Sequence, residues 1–194
     1  NIVEGLVSGN YDYGIWLYSS SNSNITNNTI TTSGSYGYGI SLSSSSNNNI
    51  NNNTITTSGD RGYGISLSSS SNNILNTNSI TTSEDYGYGI FLSSSSNNNI
   101  TYNDIITSQY QAHALYLYET SNDNLISNNT ITTLGDYGFG ILLSSSSNNN
   151  LTNNQVNSSM TNSYVIHGNT SSHFNHSIDT TNLAEGKPVN YTYN

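Results

Sequence analysis

The chain has no cysteine, one proline and one methionine among its 194 residues. Without cysteine there is no disulfide to staple a fold, no thiolate ligand, and no information on redox compartment. Charge is scarce and one-sided: Lys and Arg total 2 against 11 Asp and Glu, for a formal net charge of −9. Nucleic acid demands a basic face, and an anionic membrane surface demands the same, so the charge argues against both partners. No apolar run approaches the ~18 residues of a transmembrane helix, so no membrane insertion is expected. No signal peptide is visible and residue 1 is Asn. The sequence therefore reads as a processed chain or a piece of a longer one.

Ser, Thr, Asn and Gly dominate what is present. Read without its period, such a composition resembles a disordered low-complexity segment. The few apolar residues, however, hold a fixed phase. Gly39-Ile40-Ser41-Leu42-Ser43-Ser44-Ser45-Ser46-Asn47-Asn48-Asn49-Ile50 returns with Ile15, Ile65, Ile90, Leu115 and Ile141 in place of Ile40, and is echoed last in Tyr164-Val165-Ile166. Ending on Ile166, the steps are 25, 25, 25, 25, 26 and 25 residues. A fixed period in this range marks a solenoid.

Each repeat carries three apolar stations. Ile40 and Leu42 alternate as on one face of a strand, while Ile50 and Ile55 each stand alone between polar β-formers. Three short strands per coil predict an all-β parallel β-helix of six to seven coils over residues 1–166. Residues 167–194 read as an irregular tail or cap leading toward a further domain. The fifth repeat holds one extra residue, between Tyr118 and Leu125. Ile2, Val3, Leu6 and Val7 stand where a second and third strand would lie, so the sequence enters part-way round a coil.

Polar positions keep the same register. Asn28, Asn53, Asn78, Asn103, Asn129 and Asn154 form one column, and Asn22, Asn47, Asn72, Asn97, Asn122 and Asn148 another. Turn asparagines tolerate left-handed backbone and, stacked at coil spacing, bond one another as a ladder. A third column reads Tyr13, Tyr38, Tyr63, Tyr88, His113, Phe139, Tyr164, a predicted stack of rings. Glycosylation sequons begin at Asn24, Asn27, Asn52, Asn99, Asn128, Asn150, Asn157, Asn169, Asn175 and Asn190. With so little lysine, they favour an extracellular surface carrying N-linked glycans.

The pattern Gly-Ile-x-Leu-x-x-Ser-x-Asn-Asn-x-Ile-x-x-Asn-x-Ile, as in Gly89 to Ile105, resembles the repeats of NosD-like proteins. These are right-handed parallel β-helices of the carbohydrate-binding and sugar-hydrolysis group. The tail, His176-Ser177-Ile178-Asp179-Thr180 and Gly186-Lys187-Pro188-Val189, looks like the end of such regions in large archaeal surface proteins. The resemblance implies the fold and leaves function open among copper delivery, polysaccharide lysis, hydrolysis or epimerisation, and plain scaffolding.

Several clusters are candidates for chemistry. Asp60, Asp85 and Asp136 share one turn position, with Glu84 and Asp12 nearby, and are candidate calcium ligands; the alternative is a good turn with Arg61 relieving the charge. His113, His167, His173 and His176, with Met160, are the copper-type donors. The fifth repeat departs most from the others, through Tyr110, His113, Tyr116, Tyr118 and Glu119, a patch that either stacks a sugar or absorbs the extra residue. The position after the reference isoleucine reads Trp16, Ser41, Ser66, Phe91, Tyr116, Leu142, an outward stripe suited to a protein, a loop or a glycan. No coil carries a distinct acid, base and cation together, so no catalytic residue and no cofactor is expected, calcium aside. The expected role is structural: a cell-surface or filament-forming β-helix whose open ends stack on other copies or neighbouring domains. Carbohydrate binding or processing is the alternative, and copper delivery the third.

Overall fold

The computed structural model describes residues 2–5, 11–159 and 162–193, with residues 2–5 described as backbone only. Leu6, Val7 and Met160 lie outside the described residues. The molecule is a parallel β-helix of about seven coils, built on three sheets. A middle coil contributes Ile40–Ser43, Asn49–Asn51 and Thr54–Thr57, one strand to each sheet. The first-strand sheet runs from Ile15–Tyr18 to Tyr164–His167, and the second-strand sheet from Asn24–Thr26 to Ser177–Ile178. The third-strand sheet starts with Ile2–Gly5 beside Thr29–Thr32. Strands pair in parallel with the 25-residue offset, Ile40 beside Ile65 and Ile55 beside Ile80.

The apolar stations fill the interior. Ile40, Leu42, Ile50, Ile65, Leu67 and Leu75 are wholly buried and join their counterparts in one continuous core. Each such side chain stabilises the fold by about 1.5–3 kcal/mol relative to exposure, a gain realised only when coils stack. Close stacking demands a small residue ahead of the first strand: a Cβ on Gly39 would sit 2.3 Å from Cγ2 of Ile55.

Two asparagine ladders line the turns. Along the expected one, Asn28, Asn53, Asn78, Asn103 and Asn129 each donate backbone N–H and Nδ2–H to Oδ1 of the next, at 2.9–3.1 Å. The second differs from expectation by one position. Asn47, Asn72, Asn97 and Asn148 are exposed and hold φ of 56–61°, while Asn48, Asn73, Asn98, Asn124 and Asn149 point inward and bond along the stack. The first asparagine of each turn thus supplies the left-handed residue and the second supplies the rung. In the fifth coil the left-handed place falls to Asp123, and the extra residue is taken up by Glu119 and Thr120, both at positive φ. Buried Ser45, Ser70 and Ser95 add a hydroxyl column, and buried Thr57 and Thr82 bond the carbonyls of Gly62 and Gly87.

The last coil corrects the sequence register. Ile141 pairs with Tyr164 and Leu143 with Ile166, so the final step is shorter than the template and Tyr164 takes the core position instead of joining the ring column. Its hydroxyl donates to the Asn154 carbonyl at 3.3 Å. Beyond residue 166 the sheets continue: Ile178 pairs with Leu151, Ala184 with Val156, and Asn182 extends the ladder. The expected boundary at 166 therefore falls inside the seventh coil. Lys187–Pro188 then folds back antiparallel onto Leu183–Ala184, so the chain's own hairpin takes that edge of the third-strand sheet.

Candidate functional site

The outer face of the first-strand sheet carries the most distinctive surface of the described residues. Register sets Trp16, Ser41, Ser66, Phe91, Tyr116, Leu142 and Val165 side by side, and beside them Tyr18, Ser43, Ser68, Ser93 and Tyr118. Along one flank runs the ring column. Tyr38 and Tyr63 stack at 4.6 Å and 4°, Tyr63 and Tyr88 at 4.7 Å and 17°. His113 stacks between Tyr88 and Phe139 at 5.2 and 5.0 Å.

Where the outward residues are serines, the surface sinks. Tyr13, Tyr38 and Tyr63 wall one side of a groove of about 380 Å³; Trp16 and Tyr18 close one end and Phe91 the other, over Ser41 and Ser66. Trp16 is 57% exposed, although its ring stacks on Tyr13 at 5.4 Å and 23°. Burial raises the phenol pKa of Tyr38 and of Tyr88 to about 12 and lifts Tyr63 further; like any phenol, they are protonated donors at neutral pH. Every lining residue is aromatic or serine. Flat rings meet the C–H faces of a ligand, while hydroxyls exchange hydrogen bonds with its polar edge. The stripe was visible in the sequence; the part played by the serines was not, because a serine marks a depression only when aromatic residues stand on the coils to either side.

A second groove, of about 360 Å³, lies on another face among Tyr102, Asn128, Asn153, Gln155, Thr181 and Leu183. It offers one ring, and two of its asparagines are engaged with each other, Asn153 donating Nδ2–H to Asn128 and its backbone N–H to the Thr181 hydroxyl.

The other predicted site residues are dispersed. Asp60, Asp85 and Asp136 are exposed. Backbone bonding puts Asp60 and Asp85 on neighbouring coils but interposes Tyr110 before Asp136, and Asp85 caps the Tyr110 N–H at 3.1 Å. Arg61 does not pair with these carboxylates; its guanidinium lies between the Tyr36 and Tyr86 rings, 5.4 Å from each, and donates to the Tyr36 hydroxyl. Of the sequon asparagines, Asn24, Asn27, Asn52, Asn150, Asn169, Asn175 and Asn190 are exposed, and Asn99, Asn128 and Asn157 partly buried. Asn27 and Asn52 bond each other, and Asn175 bonds Asn148.

Residues 1–190 match the family model described as periplasmic copper-binding protein (NosD). The chain belongs to the NosD family. Two of the histidines of this NosD-family chain are engaged in its stacking and ladder contacts. His113 accepts the Phe139 N–H at 3.0 Å within the ring column. His176 takes the ladder place after Asn149, its Nδ1 accepting that residue's N–H at 3.2 Å and its Nε2 3.1 Å from the His173 carbonyl. Among the described residues no three His, Asp or Glu side chains converge as a metal site would require. Among solved structures, a mutant of the periplasmic alginate epimerase AlgG aligns with a TM-score of 0.62 at 22% identity. The match covers 77% of this chain and 36% of AlgG, so the chain spans about a third of that enzyme, and the likeness is one of fold. Comparison with curated proteins returned no match.

Proposed function

We propose that this NosD-family chain is a carbohydrate-binding β-helix of the cell envelope or exterior, with the aromatic and serine groove as its binding surface. The observation that carries the reading is the groove's composition: four tyrosines, a tryptophan and a phenylalanine around a hydroxyl floor. Sugar rings present apolar C–H faces and a hydroxyl periphery, the complement of such a surface. The location is supported by the periplasmic description of the family and of AlgG, and by the exposed sequons.

Binding, in this reading, proceeds without turnover. General acid–base catalysis needs groups poised near the working pH within reach of the substrate. The groove's titratable groups are tyrosines, and burial moves the pKa of Tyr38, Tyr63 and Tyr88 further from neutrality than the ordinary phenol value. The scaffold role expected from the sequence becomes the mechanical side of the same function, since the ladders hold the groove rigid. Stacking on other copies or on neighbouring domains, N-glycans on the sequons and calcium at Asp60 and Asp85 are separate proposals that this reading does not require.

Native electrophoresis through gels containing a panel of polysaccharides tests it. The wild-type chain should be retarded by at least one polysaccharide, and Trp16→Ala with Tyr63→Ala should migrate freely in that gel. Free migration of the wild type across the whole panel would contradict the reading.

A further inference from the structure

Resting on the carbohydrate reading, we infer that the groove selects uncharged glycans and rejects uronate polymers of the kind alginate represents. Recognition of a carboxylated chain needs guanidinium or ammonium groups aimed at its carboxylates. The chain has two such groups. Lys187 lies on the terminal hairpin, far from the groove's four coils; Arg61 is on the turn before the wall residue Tyr63, but it is held between Tyr36 and Tyr86, donates to the Tyr36 hydroxyl and does not line the groove. Among the described residues, no charged one lines the groove.

Charges of both signs sit on the turns beside the groove, but the carboxylates outnumber the one guanidinium, which the Tyr36 and Tyr86 rings already hold. Asp60 and Asp85 sit exposed on the turns that lead into two of the strands beneath the groove, Ile65–Ser68 and Ile90–Ser93. The chain as a whole carries −9. A uronate laid over Ser41 and Ser66 would lose hydration without gaining a counter-charge, an uncompensated cost that a neutral sugar avoids. Serine and tyrosine hydroxyls both donate and accept, so they match a ligand whose groups are hydroxyls too.

Geometry also sets the lie of the ligand. Trp16 and Phe91 close the groove three coils apart, which at the spacing of parallel strands is ~14 Å. A short glycan segment running along the solenoid axis fills that length, with a ring at each end to stack on.

Trp16 is the only tryptophan and stands in the groove, so its fluorescence reports binding there. The full chain would be titrated with neutral oligosaccharides of glucose, mannose, galactose and xylose, and in parallel with oligomers of alginate and galacturonate. The expected result is a saturable change with at least one neutral series, about tenfold or more tighter than any uronate series, and an affinity that hardly varies with salt. Equal or tighter uronate binding, or binding that weakens steeply with salt, overturns the selectivity and leaves the carbohydrate reading standing. Absence of a response to either class removes both. Tyr63→Phe, which keeps the ring and deletes one hydroxyl, should weaken the neutral ligand without altering the circular dichroism spectrum.

Discussion

Asn182 Oδ1 accepts a hydrogen bond from Nδ2 of Asn154 at 2.9 Å, across a step of 28 residues instead of the usual 25. The seventh coil is thus held by the same rung as its predecessors, although its sequence has lost the template. Asn182 Nδ2 also reaches back to the Leu151 carbonyl at 2.7 Å, as Asn154 reaches to Ile126. The ladder thus continues into the last coil beside the apolar stations of Tyr164, Ile166 and Ile178.

Asn78→Ala should therefore be costly. Asn78 receives the N–H and Nδ2–H of Asn53 and donates to Asn103 and the Ile50 carbonyl, all buried. Orphaning these groups should lower stability by about 3 kcal/mol or more. Asn47→Gly, at an exposed left-handed position, should change it by less than about 0.5 kcal/mol. Urea denaturation of the two variants checks the contrast; equal losses would refute the assignment of rung and turn residue.

Acid should weaken the fold through His113. Burial lowers its pKa to about 4, below the usual imidazole value, so the folded state prefers it neutral. Between about pH 6.5 and 4 the unfolded chain binds the extra proton, and stability falls as pH falls through that window, by up to roughly 3 kcal/mol. His113→Phe keeps the stacked ring and should remove this component. The difference between the two stability–pH curves isolates it from carboxylate titration and from His176, whose pKa burial also lowers.

Replacing Asp60 and Asp85 together with Asn should leave the melting temperature unchanged. Both are exposed, and the one bond made, from the Tyr110 N–H to Asp85, survives as a bond to an amide oxygen. A calcium-dependent rise in melting temperature seen in the wild type and absent from the double variant would contradict this and establish an ion site.

The fold was legible because its core repeats in sequence: the stations at Ile40, Leu42, Ile50 and Ile55 are the buried residues of their coil. Legibility failed where two choices are chemically equivalent. Asn47 and Asn48 are both good turn residues, and sequence does not say which one points inward. The register of Tyr164 against Ile166 differs by two residues, a shift that preserves which face each side chain occupies, so the alternation cannot discriminate. The groove was half legible. Trp16 and Phe91 announce an outward stripe, but Ser41 and Ser66 acquire meaning only when four coils are stacked.

A crystal structure of the chain with a bound neutral oligosaccharide, chosen from the fluorescence titration, addresses the central claim most directly. The account predicts sugar rings over Ser41 and Ser66, between Trp16 and Phe91 and along the solenoid axis, with hydroxyls bonded to the serines and to the tyrosine wall. Sugar bound instead among Tyr102, Asn128 and Asn153, or an unoccupied groove in crystals of a chain that binds in solution, would contradict it.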